Sequence, residues 1–256
     1  MWYLLVSLLM QSPQQLPPTL GAELLARNLP VPRDATDLEQ PITSYSALDD
    51  SRGFVIAYYA LAPAYRLGEL HVRSYDIRNG AWRATTFPDA IGSVLKIKRH
   101  AGILYIAGHS SPSATPLLVL SDRLELKREL DGWPVLMLGD GRVIFSRSMR
   151  HFAPTHAQVL ALYDPVTDCD TALYPPATVN NDRGGEKAPG DDLWVDRSID
   201  GVVRGRMPGT IEFVAVIQHM RLNARQVAEP ATTRQRRRIV CNVTSAVPSC
   251  TSRPDQ

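Results

Sequence analysis

The chain has 256 residues, 44% of them hydrophobic and 21% charged, an ordinary globular composition with enough apolar material for a core. Its 28 Lys and Arg against 26 Asp and Glu leave a formal net charge of +2, which gives no electrostatic ground for a nucleic-acid partner. Twenty prolines and sixteen glycines argue for many short elements with tight connections.

The N-terminus, Met-Trp-Tyr-Leu-Leu-Val-Ser-Leu-Leu-Met, turns polar at Gln11-Ser12-Pro13. A run of about ten apolar residues is too short to cross a bilayer as a helix, which needs roughly 20, and has the length of a signal-peptide apolar region. Export to the periplasm or cell exterior is therefore expected, with 1–12 as signal peptide. No basic residue precedes the run and no Ala-x-Ala follows it, so a buried N-terminal strand or a misplaced start stands as the alternative. No later segment qualifies as membrane-spanning. Residues 13–44 read as a leader or arm, carrying a short helix from Leu20 to Asn28 with Thr19 as its cap.

From Tyr45 the pattern changes to short runs of β-branched, aromatic and leucine residues. Turn dipeptides separate them: Asn79-Gly80, Asp131-Gly132, Asp140-Gly141 and Asp200-Gly201. Apolar runs end at Tyr75-Asp76, Ser121-Asp122 and Tyr163-Asp164, and each is followed by a turn and a more polar run: Trp82–Phe87, Leu124–Leu130 and Thr171–Tyr174. Upstream of the last two sit hairpins, Val94–Arg99 with Ile103–Ala107 and Val135–Leu138 with Val143–Arg147. A looser fourth copy runs through Leu193–Arg197, Val202–Arg206, Ile211–Ile217 and Ile239–Val243. A period of roughly 40–45 residues with four strands per unit is that of a propeller blade. The continuous run Ile103–Ala107 suits an inner strand covered on both faces, and the alternation in Leu124–Leu130 suits an exposed outer one. Residues 120–130 and 217–227 also suit amphipathic helices, and the repeat phase favours strand.

On these residues the chain resembles β-propeller repeat proteins in general, and Tyr75-Asp76 followed by Trp82 is similar to the tyrosine-to-tryptophan stretch of kelch repeats. The resemblance implies a fold and no activity. The expected fold is all-β: a propeller-like array of about four four-stranded antiparallel blades over 45–245, complete or partial, followed by a C-terminal tail at 246–256.

In that register, the loops joining the second and third strands of each blade emerge on one face. Counting Met207–Thr210 among these loops, that face carries His109, Ser110, Arg147, Arg150, His151, His156 and Arg206 as candidate ligand-binding residues. Converging cationic donors suit a carboxylate or phosphate, so the partner is a small anionic ligand or a protein. Gly108-His109-Ser110 after a strand also resembles the nucleophile elbow of α/β-hydrolases, and a serine hydrolase using Ser110 with a histidine and a carboxylate, for instance His219 and Asp164, is the alternative. Pro112 stands where that turn needs a small residue, and Pro116 interrupts the helix that must follow.

No cofactor or metal is expected. His151 and His156 lack a carboxylate between them, and no cysteine has zinc spacing. Asn180–Asp192 reads as a flexible linker, Arg234–Arg238 as a solvated hairpin tip, and Asn242-Val-Thr244 fits a glycosylation sequon. Of three cysteines, Cys241 and Cys250 either close a short disulfide loop, leaving Cys169 over, or all three are thiols.

Overall fold

The computed structural model describes residues 18–60, 69–88, 92–110, 114–147, 159–174, 193–225, 227–245 and 248–255. Helix α1 (Leu20–Ala26) precedes a first sheet of β1 (Ile42–Asp50), β2 (Gly53–Ala60), β3 (Glu69–Asp76) and β4 (Ala81–Pro88), neighbours in chain order. The second sheet takes β5 (Ser93–His100), β6 (Ile103–His109), β7 (Pro116–Ser121) and the first half of β8 (Leu126–Met137). The second half of β8 pairs with β9 (Val143–Arg147), which continues to β10 (Leu160–Asp164) and β11 (Cys169–Tyr174) as the third sheet. The fourth sheet orders β12 (Leu193–Arg204), β13 (Thr210–Leu222), β15 (Gln235–Asn242) and β16 (Ser249–Pro254), with a short β14 (Ala228–Pro230) beside β13. All pairings are antiparallel. The protein is a propeller-like array of four antiparallel sheets, three of four strands and the fourth with the short β14 as a fifth; the second and third share a strand.

The repeat has a local cause. The aspartates of Tyr75-Asp76 and Tyr163-Asp164 each accept the backbone N–H two residues on, from Arg78 and Val166, and Asp50 and Asp140 do the same for Arg52 and Arg142. At Ser121-Asp122 the serine hydroxyl takes over, accepting from Arg123 N. These side chains complete the turn that ends a strand, which is why an Asp or Ser recurs there.

Three apolar layers join successive sheets. Val55, Ala57 and Val72 meet Leu104, Ile106 and Leu118 between the first and second. Tyr105, Leu117 and Val119 meet Phe145, Ala161 and Tyr163 between the second and third. Ile144, Leu160 and Leu173 meet Ile211, Phe213 and Ile239 between the third and fourth. Inner strand β6 thus sends Leu104 and Ile106 one way and Ile103, Tyr105 and Ala107 the other, so its unbroken apolar run is explained by cover on both faces.

No apolar cluster among the described residues joins the fourth sheet to the first. The free face of the first sheet, with Phe54, Ile56 and Tyr58, is covered by Leu20 and Leu24 of α1, both fully buried. Thr19 caps this helix as expected, its hydroxyl accepting from Ala22 N at 3.1 Å. The other face of the fourth sheet carries Asp196, Asp200, Glu212, Arg236 and Arg238 together with Val214, Val216 and Val240, alternating with the inward residues.

The preference for strand over helix in 120–130 and 217–227 agrees with the described residues there: the first is a turn leading into β8, and β13 continues to Leu222. The structure revises other local expectations. Asp131-Gly132 and Asp200-Gly201 make no hairpins. Gly132 sits inside β8 where pairing passes from β7 to β9, and Gly201 (φ 63) lies in a register shift inside β12, so Val202–Arg204 continues the strand begun at Leu193. Arg236–Arg238 lie within β15 rather than at a hairpin tip, and Ser249–Pro254 of the segment read as a tail is β16.

Cys241 and Cys250 face each other across β15 and β16 and form a disulfide, and Cys169 is a free, exposed thiol. The bridge spans a separation of 9 residues. By loop-closure entropy it contributes about 2.5 kcal/mol. The Cys241→Ser/Cys250→Ser protein is expected to melt about 5–10 °C lower by calorimetry, whereas Cys169→Ser should leave the melting temperature unchanged.

Three tyrosines give the core a second measurable property. Burial raises the phenol of Tyr105 to about 12. Burial and a hydrogen bond donated to Asp37 raise Tyr58 further, and burial with a bond donated to Asp168 does the same for Tyr163. Folded values above the unfolded value of about 10 mean that stability is intact below pH ~10 and falls as pH rises beyond it, because only the unfolded chain ionises there. Absorbance titration of the nine tyrosines should therefore show a native fraction resisting ionisation past pH ~11, released together with unfolding.

Candidate functional site

The strand registers divide the molecule into two ends. The turns at 51–52, 77–80, 101–102, 122–125, 138–142 and 165–168 lie at one end of the first three sheets. The turn at 205–209 joins them, because Arg204 Nη2 donates to Met137 O at 2.9 Å and Arg204 to Thr210 share a cavity of about 370 Å³ with Leu138 to Arg142. The opposite end carries His109, Ser110 and Arg147.

At the turn end, the layer between the first two sheets changes character. Val55, Ser74 and Arg83 lie in register across β2, β3 and β4 on the face that meets the second sheet. Val55 is buried in the apolar layer, and two strands further on Arg83 stands on the edge strand β4. Across the gap, Leu104 and Leu120 are followed by Arg99, which is paired with Leu104, and by Asp122 beyond the end of β7. The alternation that fills the layer with aliphatic side chains thus lines its mouth with charge. A cleft of about 330 Å³ opens there, bounded by Arg52, Ser74, Tyr75, Asp76, Arg78, Arg83, Arg99 and Asp122.

The four guanidiniums are not equivalent. Arg52 Nη1 pairs with Asp122 Oδ2 at 2.7 Å. Arg99 pairs with Asp50 and is largely buried, and its Nε has no acceptor among the described residues. Among the described residues, Arg83 Nη1 donates only to the backbone carbonyl of Asp122, at 3.0 Å. The guanidinium of Arg78 has no acceptor among the described residues. Asp76, beside it, has both oxygens engaged by its own turn, from Arg78 N and Asn79 Nδ2. Four guanidiniums against Asp50, Asp76 and Asp122 leave the mouth net positive, with two forks open.

The residues singled out in the sequence are placed as follows. His109 and Ser110 are exposed at the end of β6, and Ser110 N donates to Ala114 O at 3.1 Å. Arg147 ends β9 at the same strand end, but its Nη2 is engaged by Asp170 Oδ2 at 3.0 Å. Arg206 is at the other end, because the turn at 207–209 joins the first and second strands of its sheet, not the second and third. Arg150, His151 and His156 lie outside the described residues, as does 180–192. Among the described residues Ser110 is followed by antiparallel β7 rather than by a helix, and Asp164 lies at the opposite strand end, so these two residues are not brought together.

The cleft is not legible in the sequence because its members come from three turns and three strands. The available signal was that Asp76 and Asp122, the residues marking the repeat, have arginines close by in sequence or across the hairpin. Among the described residues no group of three or more His, Cys, Asp or Glu could hold a metal ion, and no helix is long and apolar enough to cross a membrane.

Fold and site together define a propeller-like β array with a cationic cleft between its first two sheets. No family profile and no curated protein sequence matches the chain. Among solved structures, HIRA(644-1017) is similar with a TM-score of 0.36 and 9% identity over 78% of this chain; the chain spans 57% of that one. A GH43_1 enzyme from Xanthomonas citri aligns over 92% of both chains with a TM-score of 0.31 and 11% identity. A member of the duf4221 family from Bacteroides vulgatus aligns over 88% of this chain and 84% of its own, with a TM-score of 0.25 and 11% identity.

Proposed function

We propose that this chain is an exported, non-catalytic binding protein that holds a small anionic ligand in the cleft between its first and second sheets. The observation that carries this reading is the pair Arg78 and Arg83: two guanidiniums at one cavity mouth with no carboxylate partner among the described residues. Guanidinium forks match the oxygens of carboxylates and phosphates, and hydrogen bonds to charged groups contribute about 1.5–3 kcal/mol each. The Cys241–Cys250 disulfide supports export, since such bonds persist in oxidising compartments. A protein partner presenting an acidic group would use the same forks. His109 and Ser110, exposed at the opposite strand ends with Arg147 nearby, are the competing location.

Isothermal titration with inorganic phosphate and with acetate at low ionic strength tests the reading. The native protein should bind at least one of them, and Arg78→Gln/Arg83→Gln should weaken that binding at least tenfold with its melting temperature kept. Equal affinity in the two proteins, or no binding in either, rules the cleft out.

A further inference from the structure

Building on that reading, we infer that the ligand presents a phosphate group, as a small phosphomonoester, rather than a lone carboxylate. The argument is one of donors and acceptors. Arg78 offers a whole unoccupied guanidinium, and Arg83 offers all but the one N–H given to Asp122 O. A carboxylate has two oxygens and saturates one guanidinium fork, leaving the other still hydrated. A tetrahedral phosphate carries three terminal oxygens on one compact centre and can face two forks at once.

The surroundings fit the same group. Arg99 is held in the wall by Asp50, and Arg52 is held by Asp122. Each of these two pairs is neutral in sum and leaves no unpaired carboxylate at the mouth to repel an anion, so the excess positive charge is that of Arg78 and Arg83 against Asp76. Asp76, the remaining carboxylate, is turned into its own turn by Arg78 N and Asn79 Nδ2, which directs its oxygens to donors of the protein. Gly102, with φ 79, brings the β5–β6 turn against the Arg52–Asp122 pair. A Cβ there would lie 3.4 Å from Asp122 Oδ2 and 3.8 Å from Arg52 Nη1, so this turn backs the pair on the side of the second sheet.

The volume decides between free phosphate and an ester. At about 330 Å³ the cleft is at the lower end of the range of small-molecule sites, roughly 300–1,000 Å³, and is far larger than one phosphate needs. Ser74 and Tyr75 complete a lining that is otherwise all arginine and aspartate, so the group carrying the phosphate is itself small and polar.

The test is calorimetric titration of the full chain with glycerol 3-phosphate, inorganic phosphate, malonate and acetate at one pH and ionic strength. Expected is binding of both phosphates at least tenfold tighter than acetate and malonate, with glycerol 3-phosphate at least as tight as inorganic phosphate. Arg78→Gln and Arg83→Gln should each reduce phosphate affinity about tenfold, while changing acetate affinity by less than threefold. Both side chains are exposed, and an unchanged melting temperature checks that the fold persists. Acetate or malonate binding as tightly as phosphate overturns the phosphate assignment and leaves the anion cleft standing. Inorganic phosphate binding with glycerol 3-phosphate excluded overturns the ester. Binding of none of the four removes the cleft and the inference together.

Discussion

Arg73→Ala is expected to cost about 3–5 kcal/mol and to lower the melting temperature by on the order of 10 °C, in thermal and urea unfolding alike. Arg73 is 7% exposed in β3 and holds the N-terminal arm to the first sheet. Its Nε donates to Tyr58 Oη at 3.0 Å, Nη1 to Asp34 at 3.1 Å and Nη2 to Asp37 at 3.4 Å, and the Tyr58 hydroxyl donates to Asp37 at 2.5 Å. His71 stacks on the Tyr58 ring at 5.3 Å. Removing the guanidinium strands the Asp37 carboxylate, itself only 6% exposed, without its cation. The penalty is one of desolvation, so the Arg73→Met/Asp37→Leu double variant should recover most of the loss. A single variant as stable as the native chain would mean that the arm is not docked through this network.

The second large effect is expected at Gly132→Ala. A Cβ at Gly132 would stand 2.4 Å from Ser146 O and 2.6 Å from Phe145 Cδ2, distances that real side chains do not adopt. Phe145 is buried between the second and third sheets, and Ser146 belongs to β9, so neither has room to retreat. The strand must move off β9 just where it changes partners, at a cost of about 3 kcal/mol. Gly139→Ala in the following turn meets only the end of Arg204 at 3.9 Å and should be nearly neutral. The contrast between two glycines seven positions apart, read in denaturant midpoints, isolates the strand hand-over from a general effect of glycine replacement.

The comparison of sequence with structure turns on the same glycines. The repeat was legible because turn chemistry is local: an Asp or Ser accepting the N–H two residues on leaves a mark at each strand end, and those marks fall in phase. The sharing of β8 was not legible. Asp131-Gly132 and Asp200-Gly201 have the composition of hairpin turns, yet the same freedom of glycine serves a change of partner in one case and a bulge in the other. Only pairing across the sheet distinguishes these uses. The end of the array was hidden for a related reason. Leu20 and Leu24 read as a short helix in a proline-rich arm, and nothing local says that they cover a sheet face. The binding cleft depends on Arg52, Arg78, Arg83 and Arg99, which are brought together by docking of two sheets. His109 and Arg206, by contrast, were grouped by assigning one turn to the wrong pair of strands, an error of one strand that moves a residue to the other end of the molecule.

Where an anion sits on this protein can be read directly by titrating inorganic phosphate into isotopically labelled protein and following backbone amide shifts. The account predicts that the amides of Arg78, Asn79, Arg83 and Asp122 move together with one dissociation constant while those of His109 and Ser110 stay in place. Movement at His109 and Ser110 with the first group unchanged would contradict it.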